Sequence, residues 1–73
     1  MKVYRILFTT MQGKAVYSDP IDTGDKEHDE IVRVLDKIVE LVAEGAYLQV
    51  EVDGTKRTYL NHAIESIWWT EGS

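Results

Sequence analysis

Residues 31–42 read IVRVLDKIVELV, and their apolar side chains recur with the period of an α-helix, about 3.6 residues. The centre of the apolar face of this helix is formed by four side chains: Ile31, Leu35, Ile38 and Val42. Val34 and Leu41 extend the face on one flank, and Val32 and Val39 extend it on the other. The apolar arc covers about half of the helix, more than the third or so that a single core usually requires. We therefore expect a second chain to cover one of the two flanks.

Two strands are predicted before the helix. Residues 3–9 place branched and aromatic side chains on both faces of an extended chain, which is typical of an inner strand. Residues 10–14 form a hairpin loop, and residues 15–18 return as a short second strand. Pro20 ends that strand, because proline lacks the N–H that a sheet ladder requires.

Capping residues mark the two ends of the helix. Asp25 is the predicted N-cap, because a carboxylate at that position accepts a hydrogen bond from the first turn. Three further acidic residues would lie in the first turn, at the positive end of the helix dipole: Glu27, Asp29 and Glu30. The pair Glu44-Gly45 predicts the exit, because glycine is the usual left-handed residue just past a helix end.

A second hairpin is predicted after the helix. Residues 47–52 alternate between apolar and polar side chains, and Asp53-Gly54 is a pair typical of a two-residue loop with positive φ. This loop fixes a register with three opposed pairs: Glu51 with Lys56, Val50 with Arg57, and Leu48 with Tyr59. The register leaves Arg57 on an apolar face without an assigned partner. Residues 64–70 form a last strand.

These elements predict one small α+β domain over residues 1–73, in the order β-β-α-β-β-β. We expect two layers, with a single helix packed on a mostly antiparallel sheet of about five strands. A chain of 73 residues is near the size at which one core leaves little stability. The chain contains no cysteine, so disulfides are excluded, and association with a second copy would supply the missing stability.

The net charge of -5 originates in one segment. Residues 19–30 contain one lysine and an acidic patch of six residues: Asp19, Asp22, Asp25, Glu27, Asp29 and Glu30. An acidic surface disfavours nucleic acid and anionic lipid as partners, because cationic side chains dominate contacts with phosphate. No apolar run approaches the length of about 20 residues that a membrane helix needs, and no targeting signal is present. We expect a soluble cytoplasmic protein.

Trp68 and Trp69 are neighbours in the last predicted strand, so their side chains point to opposite faces of the sheet. One indole would pack under the helix, and the other would lie on the open face and form an aromatic patch with Tyr47 or Tyr59. Aromatic side chains dominate the energetics of interfaces that bury them. The predicted interface combines these aromatic residues with the two helix flanks: Val32, Val34, Val39, Leu41, Tyr47, Tyr59, Trp68 and Trp69.

No pattern in the sequence predicts catalysis, a cofactor or a metal site. Residues 19–30 have the length of a calcium-binding loop, but Ile21 stands where an oxygen ligand is needed. His28 lies among carboxylates without a second histidine or a cysteine nearby, and we expect it to be solvated in the first helical turn. No serine or threonine has a local nucleophile motif, and the glycines do not form a phosphate loop. We therefore expect a protein that is not an enzyme.

Three functions are compatible with these residues. The leading hypothesis is a non-catalytic module for protein interaction and assembly, which acts as a homo-oligomer, most simply a dimer, and whose partner is itself or another protein. The second is a small inhibitor whose carboxylates replace nucleic-acid phosphates, and short acidic chains of this kind resemble phage-encoded inhibitors of host proteins in general character. The third is an oligomer that binds a small ligand between subunits through Tyr47, Tyr59, Arg57 and a tryptophan.

Overall fold

The structure of the protein, a computed structural model, describes residues 2–72. Its elements follow one another in this order: β1 (Val3–Thr10), β2 (Ala15–Tyr17), α1 (His28–Ala43), β3 (Leu48–Val52), β4 (Thr55–Tyr59), a 3₁₀ turn (Asn61–Ala63) and β5 (Ile64–Gly72). One helix therefore packs on antiparallel strands, and the predicted α+β class and element order are confirmed. The strands form two sheets, one with three strands and one with two.

The three-stranded sheet has the order β2-β1-β5. The predicted position of β1 as an inner strand is confirmed, since β1 pairs antiparallel with β2 on one side and with β5 on the other. The ladder between β1 and β5 runs from Val3 opposite Gly72 to Thr10 opposite Ile64, with an irregularity between Thr9 and Thr10. The last strand is longer than predicted because β1 offers partners along its whole length.

The two-stranded sheet is the hairpin β3–β4, and its predicted register is confirmed at all three opposed pairs. Asp53 has a φ of 52° and Gly54 a φ of 78°, the left-handed geometry that a two-residue loop of this kind needs. The buried side chains of β3 alternate with exposed ones, as the sequence pattern predicts. Arg57 stands opposite Val50 in this register and is exposed.

Asp19 joins the two sheets just after the end of β2. Its backbone N–H donates to the carbonyl of Glu51 at 2.8 Å. Its carboxylate accepts hydrogen bonds from the backbone N–H groups of Asp53 at 2.9 Å and Gly54 at 2.7 Å. The neighbouring Ser18 is buried, and its hydroxyl accepts a hydrogen bond from the Ile6 N–H at 2.8 Å. One short segment thus fixes the position of the β3–β4 hairpin against β1.

The core lies between α1 and the inward faces of both sheets. Its buried members come from β1, α1, β3 and the start of β5: Tyr4, Ile6, Phe8, Ile31, Leu35, Val42, Leu48, Val50, Val52 and Ile64. The predicted centre of the helix face is confirmed, with Ile38 half-buried against this core. The helix is therefore stabilised mainly by packing, because its many branched residues are weak intrinsic helix formers.

The helix begins later than predicted, so the prediction of Asp25 as the N-cap is wrong. The N-cap is Glu27, and its side chain makes no capping hydrogen bond. The reason is a turn just upstream, where Gly24 has a φ of 56° and donates its N–H to the Asp22 carboxylate at 3.0 Å. Asp25 itself lies inside a turn that is closed by the hydrogen bond from the Lys26 N–H to the Thr23 carbonyl at 3.1 Å, and the first helical bond runs from the Ile31 N–H to the Glu27 carbonyl.

The predicted exit at Glu44-Gly45 is confirmed. Gly45 has a φ of 112° and donates its N–H to the Val42 carbonyl at 3.1 Å, while Ala46 donates to the Leu41 carbonyl at 3.0 Å. This pair of bonds is the Schellman arrangement, which satisfies carbonyls that the helix leaves unpaired. The Asn61 side-chain amide also donates to the Val42 carbonyl.

Candidate functional site

The two flanks of α1 have different surroundings. Val32 and Val39 are half-buried, on the side of the helix where Asp36 accepts a hydrogen bond from the Trp69 indole at 2.7 Å. This flank faces β5 of the same chain. Val34 and Leu41 on the other flank remain 47% and 43% exposed. The structure therefore leaves one of the two predicted flanks open, and we call this pair of residues the helix flank.

The two tryptophans occupy opposite faces of β5, as the sequence pattern predicts. Trp69 stands opposite Ile6 on the core side, and its ring lies 6.5 Å from the ring of Tyr4. Trp68 stands opposite Leu7 on the other face and is 55% exposed. The ring centroids are nevertheless only 5.9 Å apart, with planes 19° from parallel. Rings that start from opposite faces come this close only around a free strand edge, so the stacked indoles lie at the outer edge of β5.

The outward face of the three-stranded sheet carries an apolar row that crosses all three strands. Tyr17 on β2 stands opposite Leu7 on β1, and Leu7 stands opposite Trp68 on β5. The Cβ atoms of directly opposed residues in an antiparallel pair lie about 5 Å apart, so the three side chains start next to one another, and the Trp68 ring then extends towards its stacking partner Trp69. Tyr17 is 55% exposed, and Leu7, on the central strand, is half-buried. We call these three residues the open-face row.

Two of the three residues in this row, Leu7 and Tyr17, are not predicted from the sequence. The neighbours of Leu7 depend on the pairing of β1 with β5, which are far apart in sequence. The signal that could have identified the row is the presence of apolar residues on the second face of β1, because the solvated face of an antiparallel sheet is commonly polar.

Tyr47 and Tyr59 do not join the tryptophans, so that prediction is wrong. Tyr59 lies on β4, half-buried, and its ring makes an edge contact with Phe8 at 4.7 Å between centroids. Tyr47 is exposed just before β3. The physical reason is that both tyrosines belong to the β3–β4 hairpin, whereas the tryptophans lie at the far edge of the other sheet.

The acidic patch is divided between structural and exposed carboxylates. The carboxylates of Asp19 and Asp22 accept backbone hydrogen bonds in the turns described above. The other four acidic side chains are exposed around the start of α1: Asp25, Glu27, Asp29 and Glu30. Asp29 and Glu30 lie in the first turn of the helix, where negative charge is favourable. The patch therefore has fewer free carboxylates than its composition suggests.

His28 is not simply solvated, which corrects the expectation from sequence. Its ring nitrogen Nδ1 and the hydroxyl of the buried Tyr4 form a hydrogen bond of 2.7 Å. The same nitrogen lies 3.7 Å from the Glu71 carboxylate, which in turn pairs with Lys2 at 3.3 Å. The imidazole is half-exposed. It satisfies a hydroxyl that the core would otherwise leave without a partner.

Two grooves open on the surface of the described residues. The first, which we call the helix groove, has a volume of about 340 Å³ and lies between residues 18–22, Ile38 and β3. The second, which we call the hairpin groove, has a volume of about 470 Å³ and lies between the two hairpins. Arg57 and Tyr59 line the hairpin groove, whereas Tyr47 and the tryptophans line neither groove. Within one chain these residues therefore do not line a common groove, and the ligand site between subunits stays a prediction.

Comparisons with protein-family models, with curated proteins and with solved structures find no match to this chain. Within residues 2–72, α1 is too short and too polar to cross a membrane. The same residues contain no group of three or more His, Asp or Glu side chains arranged to hold a metal ion.

Proposed function

We propose that this protein is a non-catalytic interaction module that self-associates as a homodimer through its open-face row. One observation carries this proposal: β1 has apolar side chains on both faces, and only one face is covered. Tyr4, Ile6 and Phe8 are buried in the core, while Leu7 lies half-buried on the opposite face, across from Trp68. An apolar sheet face is stable when a second layer buries it, and none of the described residues supplies that layer.

The surroundings of the open-face row suit a contact between two identical surfaces. The rows on either side of it are polar, with Arg5 opposite Thr70 and Thr9 opposite Ser66. An apolar centre with a polar rim is the usual anatomy of a protein interface. Arg5 also donates to the Ser18 carbonyl at 3.0 Å, which limits its freedom to cover Leu7. Two such faces related by a two-fold axis would bury each row against its copy, as in a sheet-on-sheet sandwich.

The helix flank is the competing surface for the same function. Val34 and Leu41 project from α1, which covers the inward face of the sheet, whereas the open-face row lies on the outward face. A single two-fold contact therefore uses one surface or the other. We assign the contact to the open-face row because it contains an exposed tryptophan, the residue type most enriched among the side chains that dominate binding energy.

Three substitutions distinguish the two surfaces, with particle mass measured by sedimentation velocity. Trp68→Ser should convert the dimer to a monomer, while Leu41→Glu should leave the dimer intact. Leu60→Ser is the matched control, because Leu60 is as exposed as Trp68 but lies outside both surfaces. Circular dichroism shows whether each variant keeps its fold. Dissociation by Leu41→Glu and not by Trp68→Ser would overturn the assignment and favour the helix flank.

Mimicry of nucleic acid is a second candidate function with narrower support. The four exposed carboxylates around the start of α1 favour it, since they concentrate negative charge on one part of the surface. A mimic should bind a basic target, and the affinity should fall steeply as salt rises. This candidate would be contradicted if the affinity for such a target did not change with salt concentration.

A further inference from the structure

We propose that the hairpin groove binds a small organic anion that carries a planar ring, and that one chain forms the whole site. The site borders the proposed dimer surface, because Tyr17 belongs both to the open-face row and to the groove lining. The groove is lined by ten residues from the two hairpins: Thr10, Gln12, Lys14, Ala15, Val16, Tyr17, Val52, Asp53, Arg57 and Tyr59. Its volume of about 470 Å³ is within the range of about 300–1,000 Å³ found for small-molecule sites.

The groove lies where no strand ladder joins the two hairpins, which are connected by the hydrogen bonds of Asp19 and by the ring contact between Phe8 and Tyr59. The Asp19 N–H donates to the Glu51 carbonyl, but no further ladder bonds join β2 to β3 among the described residues. The N–H of Ser18 points towards β1, where it donates to the Ile6 carbonyl at 2.8 Å. Since backbone groups alternate in direction along an antiparallel edge, those of Tyr17 point away from β1, on the side of β2 that faces β3.

The charge of the groove is opposite to that of the chain. Lys14 and Arg57 both line it, and Asp53 is the only acidic residue in the lining. Neither cation forms an ion pair with a carboxylate within residues 2–72. A guanidinium presents a planar set of donors that matches a carboxylate or a phosphate. In a chain with a net charge of -5, two unpaired cations on facing hairpins favour an anionic ligand.

The aromatic residues of the groove favour a planar ring in the same ligand. The ring of Tyr59 is held by its edge contact with the buried Phe8, with 64° between the ring planes. A ring fixed in this way offers a face for stacking without a further loss of side-chain freedom. Thr10 and Gln12 add hydrogen-bonding groups at the rim. We therefore expect the ligand to place its ring against Tyr59 and its acidic group near Lys14 and Arg57.

The test uses two anionic probes with neutral counterparts. 4-Hydroxybenzoate and uridine monophosphate are titrated against the intact chain, with 4-hydroxybenzyl alcohol and uridine as controls, while backbone amide NMR signals are followed. We expect at least one anionic probe to shift the signals of residues 14–17 and 55–59, and its neutral counterpart to leave them unchanged. The two probes distinguish a carboxylate ligand from a phosphate ligand.

Three substitutions, each of which removes one positive charge, complete the test. Arg57→Gln and Lys14→Gln should each weaken binding of the active probe by about tenfold or more, since each removes a charged hydrogen-bond donor. Arg33→Gln removes the same charge from the exposed surface of α1, outside the groove lining, and should leave binding unchanged. The proposal is overturned if neither anionic probe shifts the groove signals, or if Arg33→Gln weakens binding as much as Arg57→Gln.

Discussion

The Asp19 carboxylate accepts a hydrogen bond of 2.7 Å from the backbone N–H of Gly54, which lies 35 positions further along the chain. Together with the bond from Asp53, this contact closes the β3–β4 turn from outside the hairpin. The helix groove and the hairpin groove both border this contact, since Asp19 lines the first and Asp53 lines the second. The Asp19 side chain thus connects the end of β2 to the β3–β4 turn and helps to position one sheet against the other.

Removal of this carboxylate should destabilise the protein. We expect Asp19→Ala to lower the free energy of unfolding by about 1–2 kcal/mol, because two backbone donors lose a charged acceptor. Asp19→Asn, which keeps one acceptor oxygen, should lower it by less. Asp25→Ala is the control and should change stability by less than about 0.5 kcal/mol, since Asp25 is exposed and outside the helix. Urea denaturation measures all three, and equal losses for Asp19→Ala and Asp25→Ala would contradict the role of Asp19.

The turn itself should tolerate little change at Gly54. Its φ of 78° is unfavourable for a residue with a side chain, so Gly54→Ala should cost about 1–2 kcal/mol. A Cβ at this position meets no other atom within 4 Å, so the cost reflects backbone conformation alone. Gly72→Ala is the matched control, because Gly72 also has open space around it and lacks a positive φ. Thermal unfolding of both variants should show a lower midpoint only for Gly54→Ala.

The hydrogen bond between Trp69 and Asp36 should link β5 to α1. Trp69→Phe removes the indole donor and keeps a ring, and Asp36→Ala removes the acceptor. In a double-mutant cycle we expect a coupling energy of about 0.5–1 kcal/mol from urea denaturation, a modest value because the bond is exposed. Strictly additive losses would mean that the bond does not stabilise the fold.

The contact between Tyr4 and His28 should show the cost of an unpaired buried hydroxyl. Tyr4→Phe removes the hydroxyl and leaves a half-exposed imidazole that water can reach, so we expect a loss of about 1 kcal/mol. His28→Ala leaves the hydroxyl of a buried tyrosine without its partner, and the expected loss is larger, about 1–3 kcal/mol. Chemical denaturation gives both values. The reverse order would show that the hydroxyl finds another partner.

Features set by local sequence were predictable in this chain. The Asp53-Gly54 turn fixes the pairing of residues that lie close together in sequence, so the β3–β4 register followed from the turn alone. The centre of the helix face followed from its period, and Gly45 marked the helix end. The start of the helix was not predictable, because residues 22–26 form turns that are closed by their own hydrogen bonds, and the helix begins only after them.

Features that depend on distant contacts were not predictable. The open-face row requires β5 to pair with β1, and the Asp19 contact requires the end of β2 to meet a turn far along the chain. Alternation in sequence assigns each side chain to a face, but it does not say which strands are neighbours. For this reason the sequence predicts one of the two tryptophans on the open face without saying which, and it does not predict Leu7 and Tyr17 as the neighbours of Trp68.

The central claim is that a second copy covers the outward face of β1. Sedimentation velocity of the unmodified chain at tens of micromolar tests it most directly. We predict a particle of twice the chain mass of 8.4 kDa that dissociates towards the monomer on dilution. A monomer of 8.4 kDa at every concentration would contradict the claim, because Leu7, Tyr17 and Trp68 would then remain in contact with water.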